Sequence, residues 1–395
     1  MIHSAILAPE VRAFLKINEH TALSTFILKG SPFPEITIQQ LAQQLEGRRK
    51  VKAKLPLWYE TEGILFPPKI NIEQTSSEAT ARYKAQLMTG TTLVDGTGGF
   101  GIDSYYFAQQ VDQVIHIEMN AEVSAFAKAN YSSLGVSNVK CILGDSITYF
   151  AENEKHYDTI YLDPGRRSDI KGKVFMLQDC IPNVPEHLDL LLSRCDQLWI
   201  KTAPLLDISA GWNALKNVSQ LHIVAVRNEV KELLWCVNAK PINASLELIV
   251  VNILKDGNSK VSFNYDALLE AQATFGPPLS YLYEPNAALM KSGAFNWISE
   301  QYELFKLHEN SHLYSSQECI AFPGRVFKIL SVLPYGKSLR KALNFSKANI
   351  STRNFPISVA DLRKKLKIKD GGTEYLFFTR LEDESLAVIH CHKLN

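Results

Sequence analysis

The chain lacks the marks of several large protein classes. None of its 395 residues fall in an uninterrupted apolar stretch of the ~18–20 positions that a membrane-spanning helix needs. The longest candidate, Leu246 to Leu254, has the length of a strand. Met1-Ile2-His3-Ser4 carries no basic segment of the kind that opens a signal peptide, and Glu10 follows early, so a cytoplasmic location is expected. Cysteine is sparse: six residues, none in a C-x-x-C pair, several inside apolar runs where a thiol behaves as a small hydrophobe. This excludes a disulfide scaffold and fits reduced thiols. Charge of one sign is also missing. Lys and Arg number 42 against 41 Asp and Glu, a net charge of +1. The whole chain is therefore not marked as a polyanion binder, although a local excess can still do so. The triplet His390-Cys391-His392 lacks a complementary ligand pair and reads as a final strand with alternating faces, so no metal is expected.

What is present is ordinary globular composition, 46% hydrophobic and 21% charged, in a length that suggests two or three domains. Four sections are legible. Residues 1–80 suggest a helical cap, with helical apolar spacing at Ile38–Leu45, a proline-bearing connection from Leu55 to Pro68, and a second helix over Ala79–Met88. Residues 81–256 alternate strands with helices: strands at Thr92–Asp95, Val114–Glu118, Val139–Leu143, Thr159–Leu162, Gln197–Ile200, Leu221–Val226 and Leu246–Ile253, with helices at Ile102–Gln110 and at Ala121–Leu134, the second closed by Gly135. Such alternation predicts an α/β fold, a Rossmann-like parallel sheet covered on both faces, with ligands at the carboxyl ends of its strands. Residues 257–318 suggest a small connecting domain with a strand at Tyr281–Pro285, a helix over Ala287–Leu307 and a strand at His312–Tyr314. Residues 319–395 read as a basic α+β module: strand Val326–Leu333, helix Lys337–Leu343, strand Ala348–Thr352, helix Val359–Leu366, then a hairpin, Tyr375–Thr379 with Leu386–His390.

Chemistry concentrates on Asp95-Gly96-Thr97-Gly98-Gly99-Phe100-Gly101. Gly96, Gly98 and Gly101 satisfy G-x-G-x-x-G between a strand and a helix, where glycine permits a tight turn and close backbone approach to a ligand. Glu118 ends the next strand and suits ribose hydroxyls. Both features fit NAD as well as S-adenosylmethionine. A carboxylate at Asp95, directly before the first glycine, suits a cationic ammonium and would repel a pyrophosphate. Asp145 follows the third strand, where an acceptor can hold an adenine amino group, and Asp163-Pro164 ends the fourth. This series of acids favours S-adenosylmethionine as cofactor.

These residues resemble the motifs of class I methyltransferases. Further phrases resemble a narrower bacterial family, methyltransferases with a ferredoxin-like insert and a THUMP-like C-terminal domain: Glu73–Glu78, Ala81–Lys84, Tyr161–Arg167, Arg227–Leu234, Tyr281–Pro285 and Phe322–Arg325. Gly165 stands where that family most often has alanine. The likeness runs over about residues 70–395. It implies a class I methyltransferase domain, with Thr75-Ser76 packed over the methionine moiety although Thr75–Glu78 also reads as a helix cap. The expected cofactor site is Thr75, Ser76, Asp95, Gly96, Thr97, Gly98, Gly101, Glu118, Met119, Asp145 and Ser146.

Methyl transfer is an in-line displacement that depends chiefly on positioning. In amino-methylating relatives an Asp or Asn and a proline carbonyl hold the target nitrogen, which assigns the catalytic positions to Asp163 and Pro164. Arg166 replaces the aromatic common after the proline. Arg166 and Arg167 then suit a phosphate or a stacked base, or form a solvated pair. Lys201 and Asp207 follow the fifth strand and either line the substrate side or serve structure. Asn228–Glu232 reads as opening a helix, with Asn228 as its cap and Glu229 facing substrate. From residue 319 onward 14 Lys and Arg face 6 Asp and Glu, dense at Arg363-Lys364-Lys365. That excess gives an electrostatic footprint for RNA. The sequence thus predicts a methyltransferase acting on a nitrogen of tRNA or rRNA. The alternatives are a protein or small-molecule methyltransferase, or a non-catalytic RNA-binding factor that keeps the fold.

Overall fold

The computed structural model describes residues 4–166, 176–241 and 245–394, in two compact units. The first comprises residues 1–220 and 232–244, the second residues 221–231 and 245–395. The chain leaves the first unit within one strand and returns within the next. No helix among the described residues is long and apolar enough to cross a membrane.

The first unit opens with short helices: α1 (Pro9–Ile17), α2 (Leu23–Leu28), α3 (Ile38–Lys54), α4 (Pro56–Glu60), α5 (Lys69–Gln74) and α6 (Glu78–Ala85). A capping box between Thr37 and Gln40 starts α3, and Ser77 caps α6. The helical cap therefore extends beyond the two helices expected. Proline opens α4 at its first position, where no amide is lost. Leu15, Phe26, Leu41 and Leu45 form the core of the cap and pack on Phe126.

Then come β1 (Thr92–Asp95), α7 (Ile102–Phe107), β2 (Gln113–Glu118), α8 (Ala121–Ser133), β3 (Val139–Leu143), α9 (Ser146–Glu152) and β4 (Tyr157–Leu162). A short ladder of β5 (Gly165–Arg166) with β6 (Cys180–Ile181) leads to α10 (Val184–Leu192), β7 (Cys195–Thr202), α11 (Ile208–Ala214), β8 (Val218–Val226) and β9 (Glu229–Asn238). In the first unit the sheet order is β3-β2-β1-β4-β7-β9. The first five are parallel and β9 runs antiparallel to β7. The segment predicted as a helix from Asn228 is thus a hairpin. Arg227 and Asn228 both have positive φ, 51° and 64°, as a tight two-residue turn between strands requires. Alternating burial could not reveal this, because β9 is buried from Glu232 to Val237 on both faces.

In the second unit β8 is followed across its sheet by β10 (Glu247–Leu254) and β11 (Gly257–Asn264), an antiparallel hairpin that crosses the 256/257 position. After α12 (Tyr265–Glu270) come β12 (Tyr281–Pro285), α13 (Ala287–Ser292), α14 (Phe295–Gln301), β13 (Phe305–Lys306) and β14 (Tyr314–Ser316). The helix expected over Ala287–Leu307 is broken into two, because Gly293 takes a left-handed φ of 74°. The remainder is β15 (Gly324–Pro334), α15 (Leu339–Ala342), β16 (Asn349–Arg353), α16 (Val359–Leu366), β17 (Glu374–Arg380) and β18 (Leu386–Lys393). One sheet, β13-β14-β12-β15-β18-β17-β16, carries both C-terminal stretches, and only β16 and β17 pair in parallel. Gly324 has to be glycine: a Cβ there would lie 2.1 Å from the carbonyl oxygen of Glu284 on β12.

Asp158 fixes the amino end of the parallel sheet. Its Oδ2 accepts from the amides of Thr91 and Thr92 at 2.7 and 2.8 Å and from both threonine hydroxyls. The Thr91 and Thr92 amides hold its carboxyl below the usual range. A depressed carboxyl contributes stability above its unfolded pKa that is lost as pH falls through the folded value. Asp158→Asn should therefore lower Tm at pH 7 and flatten its fall below pH 4, as read by melts across pH 3–7.

Candidate active site

The glycine turn joins β1 to α7 and is stitched to its neighbours. Gly96 N–H donates to Tyr161 O at 3.0 Å and Gly98 N–H to Ile117 O at 2.8 Å. Three of its glycines are demanded by what lies beneath. A Cβ on Gly98 would stand 2.2 Å from the His116 imidazole, one on Gly101 2.3 Å from the Tyr131 hydroxyl, and one on Gly96 2.7 Å from Leu162. The reason for glycine at these positions is therefore protein packing, where close approach to a ligand was expected. Gly99 differs: at φ 53° a Cβ would have nothing nearer than Thr97 O at 3.8 Å. Its face is the part of the turn open to a ligand. His116 is fully buried, with Nδ1 3.1 Å from Ser104 Oγ and 3.0 Å from the Tyr131 hydroxyl. Burial pushes its pKa down to about 4, so the ring is neutral at pH 7. From the cap, Trp58 packs on Phe100 with ring centroids 4.9 Å apart and buttresses the turn.

The strand-end acids take different roles. Asp95 is 1% exposed and lies under the turn, not at its mouth. Ser104 Oγ donates to Oδ2 at 2.5 Å and Thr97 N–H to Oδ1 at 3.2 Å. Burial pushes its pKa up to about 7, the Asp103 charge adding and the Ser104 bond opposing. Glu118 stands at the end of β2, where Oε2 accepts from Gly99 N–H at 2.9 Å and Oε1 from Asn120 N–H at 2.7 Å. Each carboxylate oxygen keeps further acceptor capacity. Met119 beside it is 61% exposed. Asp145 caps α9, its Oδ1 accepting from Thr148 N–H at 2.8 Å, and Ser146 is buried against Gly96. Thr75 ends α5, and the buried Ser76 donates to Asp103 Oδ2 at 2.8 Å.

At the end of β4, Asp163 N–H donates to Thr97 Oγ1 at 2.6 Å, which ties this strand end to the turn. Lys201 Nζ, from the end of β7, donates to Asp163 Oδ2 at 2.5 Å, and Pro164 is buried. Burial alone would lower the Lys201 pKa. The charges of Asp163, Glu232 and Asp103 outweigh it and raise the pKa, so the ammonium persists. Behind this pair lies a cluster that sequence reasoning missed. Lys84 of α6 is fully buried, with Nζ 2.6 Å from Ser76 Oγ, 3.0 Å from Asp103 Oδ1 and 3.2 Å from Glu232 Oε2. Tyr161 OH also donates to Asp103 Oδ2, at 3.2 Å. Burial raises the Glu232 pKa, with Lys84 and Lys201 opposing. One signal was available: Lys84 lies on the buried face of a helix otherwise lined by Thr80, Ala81, Tyr83 and Ala85.

Several expected residues fall elsewhere. Glu229 is 73% exposed and pairs with Lys231 at 2.6 Å; Glu232 is the β9 acid that joins the cluster. Asn228 opens no helix of its own: its amide donates to Asn252 Oδ1 on β10, and its Oδ1 accepts at 2.7 Å from Ala287 N–H, the first amide of α13. Asp207 caps α11. Arg166 belongs to β5, and Arg167 lies outside the described residues. His390 and His392 on β18 both contact Glu374, while Cys391 is core. Among the described residues no group of three or more His, Cys, Asp or Glu is placed to hold a metal ion.

A parallel sheet ordered 3-2-1-4 with an antiparallel strand beyond its fifth member, and acids at its carboxyl ends, defines the Rossmann-like class I methyltransferase fold. Residues 281–323 match a family model for a ferredoxin-like domain and residues 324–393 one for a THUMP domain-like module. A crystal structure from Porphyromonas gingivalis W83, described provisionally as a methyltransferase, is 30% identical over 100% of this chain and 99% of its own, with a TM-score of 0.90. A protein of Mycoplasma mobile described as an uncharacterized RNA methyltransferase is 28% identical over 141 residues. That match spans 34% of this chain and 38% of the Mycoplasma protein, well under half of it. The chain belongs to the S-adenosylmethionine-dependent methyltransferase family with ferredoxin-like and THUMP-like C-terminal domains.

Lys84 is the counter-charge of two buried acids. Lys84→Met should destabilise the fold by about 3–5 kcal/mol, because it removes the cation in contact with Asp103 and Glu232. Urea unfolding at pH 7 checks this. A midpoint within error of wild type would show that the cluster carries no such weight.

Proposed function

We propose that this chain binds S-adenosylmethionine across the Asp95–Gly101 turn and methylates a nitrogen of a structured RNA, tRNA or rRNA. The observation that carries the reading is the convergence of Gly99, Glu118, Asp145 and Asp163 on the carboxyl ends of four neighbouring strands, with Asp163 clamped by Lys201. The residues fit such a cofactor. Gly99 leaves its face open, Glu118 would accept from ribose hydroxyls, and Asp145, Ser146 and the exposed Met119 would serve the adenine. Thr75, Ser76, Gly96, Thr97, Gly98 and Gly101 complete the cradle. The cofactor supplies an electrophilic methyl group.

Asp163 and the Pro164 carbonyl are the acceptors for the N–H groups of the target. Lys201 orients one Asp163 oxygen and leaves Oδ1 for substrate. The proton lost by the methylated nitrogen passes to that carboxylate. Arg166, Arg167 and Lys201 are the cations of the substrate side, and the basic C-terminal stretch supplies phosphate contacts. The working division is a helical domain (1–80), a methyltransferase domain (81–256), a connecting domain (257–318) and a THUMP-like domain (319–395), acting in the cytoplasm. The RNA reading draws support from the description of the Mycoplasma relative and from the THUMP-like match.

Nucleoside analysis of RNA from cells with and without the gene identifies the product, and an unchanged nucleoside profile overturns the RNA assignment. On the true substrate, Asp163→Ala should lower kcat on the order of 10²–10⁴-fold while cofactor affinity stays within a few-fold. Full activity would remove Asp163 from the mechanism.

Asp95 gives a pH prediction. Burial pushes its carboxyl up to about 7, and because it lies beneath the turn its charge acts on folding and not as a contact to the cofactor. Melts of Asp95→Asn between pH 5 and 8 test this. A raised carboxyl penalises the folded state as pH climbs from the unfolded pKa to about 7, fully above it. The variant should therefore be at least as stable as wild type at pH 8.

A further inference from the structure

Two segments singled out in the sequence, Arg227-Asn228 and Phe322–Arg325, have no part in the methyl-transfer site. In the second unit they meet. A cavity of about 500 Å³ is lined by Arg227, Arg325 and Lys393, by the buried Asn252 and Asn286, and by Phe322, and no carboxylate lines it. Glu284 is the nearby acid. It is buried and shared by Arg325 and Arg353, the latter at 2.8 Å, so the trio keeps one positive charge. The Arg227 guanidinium forms no ion pair or hydrogen bond among the described residues, and neither does the Lys393 ammonium.

The turn itself points the same way. Arg227 holds φ 51° in a two-residue hairpin turn, a place where Asn, Asp or Gly is favoured and a long side chain is not. Backbone cost at that position argues that the arginine serves its head group and not the turn. Three cations lining one cavity, one of them, Arg325, shared with Glu284, beside the aromatic Phe322, suit a phosphate ester attached to a flat ring, in a volume within the range of small-ligand sites.

We propose that this cavity holds one nucleotide of an RNA strand, its phosphate on Arg227, Arg325 and Lys393 and its base beside Phe322. Its assignment to a strand of the substrate rests on the RNA reading above; the cavity's preference for a nucleotide does not. A free nucleotide offers the same chemistry, so both forms are tested.

The full-length protein, Arg227→Asn, Lys393→Gln and the double variant are titrated with a fluorescent short RNA between 50 and 200 mM salt, and with 5′-adenosine monophosphate and inorganic phosphate. Asn fits the turn, so Arg227→Asn should melt at or above the wild-type Tm. It should bind RNA about 5–20-fold more weakly, with a salt slope lower by about 0.7–0.9. If wild type binds RNA and both variants bind it equally well with the same slope, the cavity proposal falls and the RNA substrate stands. If wild type binds no RNA, the substrate reading falls and the monophosphate arm decides. Saturable binding lost in the double variant sustains a nucleotide site. Absence of binding, or binding matched by inorganic phosphate alone, overturns it.

Discussion

Everything at the carboxyl end of the parallel sheet depends on one buried cation. The Lys84 ammonium has no access to water and touches Ser76 before its own helix, Asp103 at the start of α7 and Glu232 on β9. Two carboxylates buried without it would carry a penalty of several kcal/mol each. With it, three distant stretches of chain are fixed to within hydrogen-bond distance. α7 is the helix that the glycine turn opens, so the position of Asp103 sets the position of the turn. Glu232 also faces Lys201, and Lys201 in turn holds Asp163. Asp163 is therefore connected, charge by charge, to the helix that the glycine turn opens.

A second constraint is steric. Beneath the turn lie a neutral imidazole and a phenol, His116 and Tyr131, linked by a hydrogen bond. They fill the space that side chains on residues 98 and 101 would occupy. The turn is thus shaped from below by the protein and open from above at Gly99. Such a surface is preorganised: the amides of Gly96, Thr97, Gly98, Gly99 and Gly101 are all bonded within the protein, so the turn keeps its shape before any ligand arrives. The cap adds a buried contact to the turn through Trp58 on Phe100.

The sequence carried the sheet well where its rules are local. β3 and α16 occupy the residues expected, because strand and helical apolar spacing are short-range signals. Gly135 closes α8 with a left-handed φ as predicted. The same rules failed at Asn228, where a turn signal without glycine and a strand buried on both faces imitate a helix start. They failed again over Ala287–Leu307, where helical spacing continues through Gly293 although the backbone does not. Of the acids, Asp207 takes the structural of its two expected roles and caps α11, and Asp145 also caps a helix, a role that depends only on the three residues that follow.

By itself the sequence determined the class of fold, the position of the glycine turn and the order of acids along the strands. Each follows from spacing within about ten residues, and hydrophobic period and turn chemistry act over that range. Only the tertiary structure decided which charges share a site. Lys84 and Glu232 are 148 residues apart in sequence, and Asp163 and Lys201 are 38. Nothing in either local pattern names the partner. Pairing across such distances is set by strand order and by the low dielectric of the interior, which compels every buried charge to find an opposite one. The same closure placed Asp95 under the turn, where burial and not sequence neighbours sets its proton affinity.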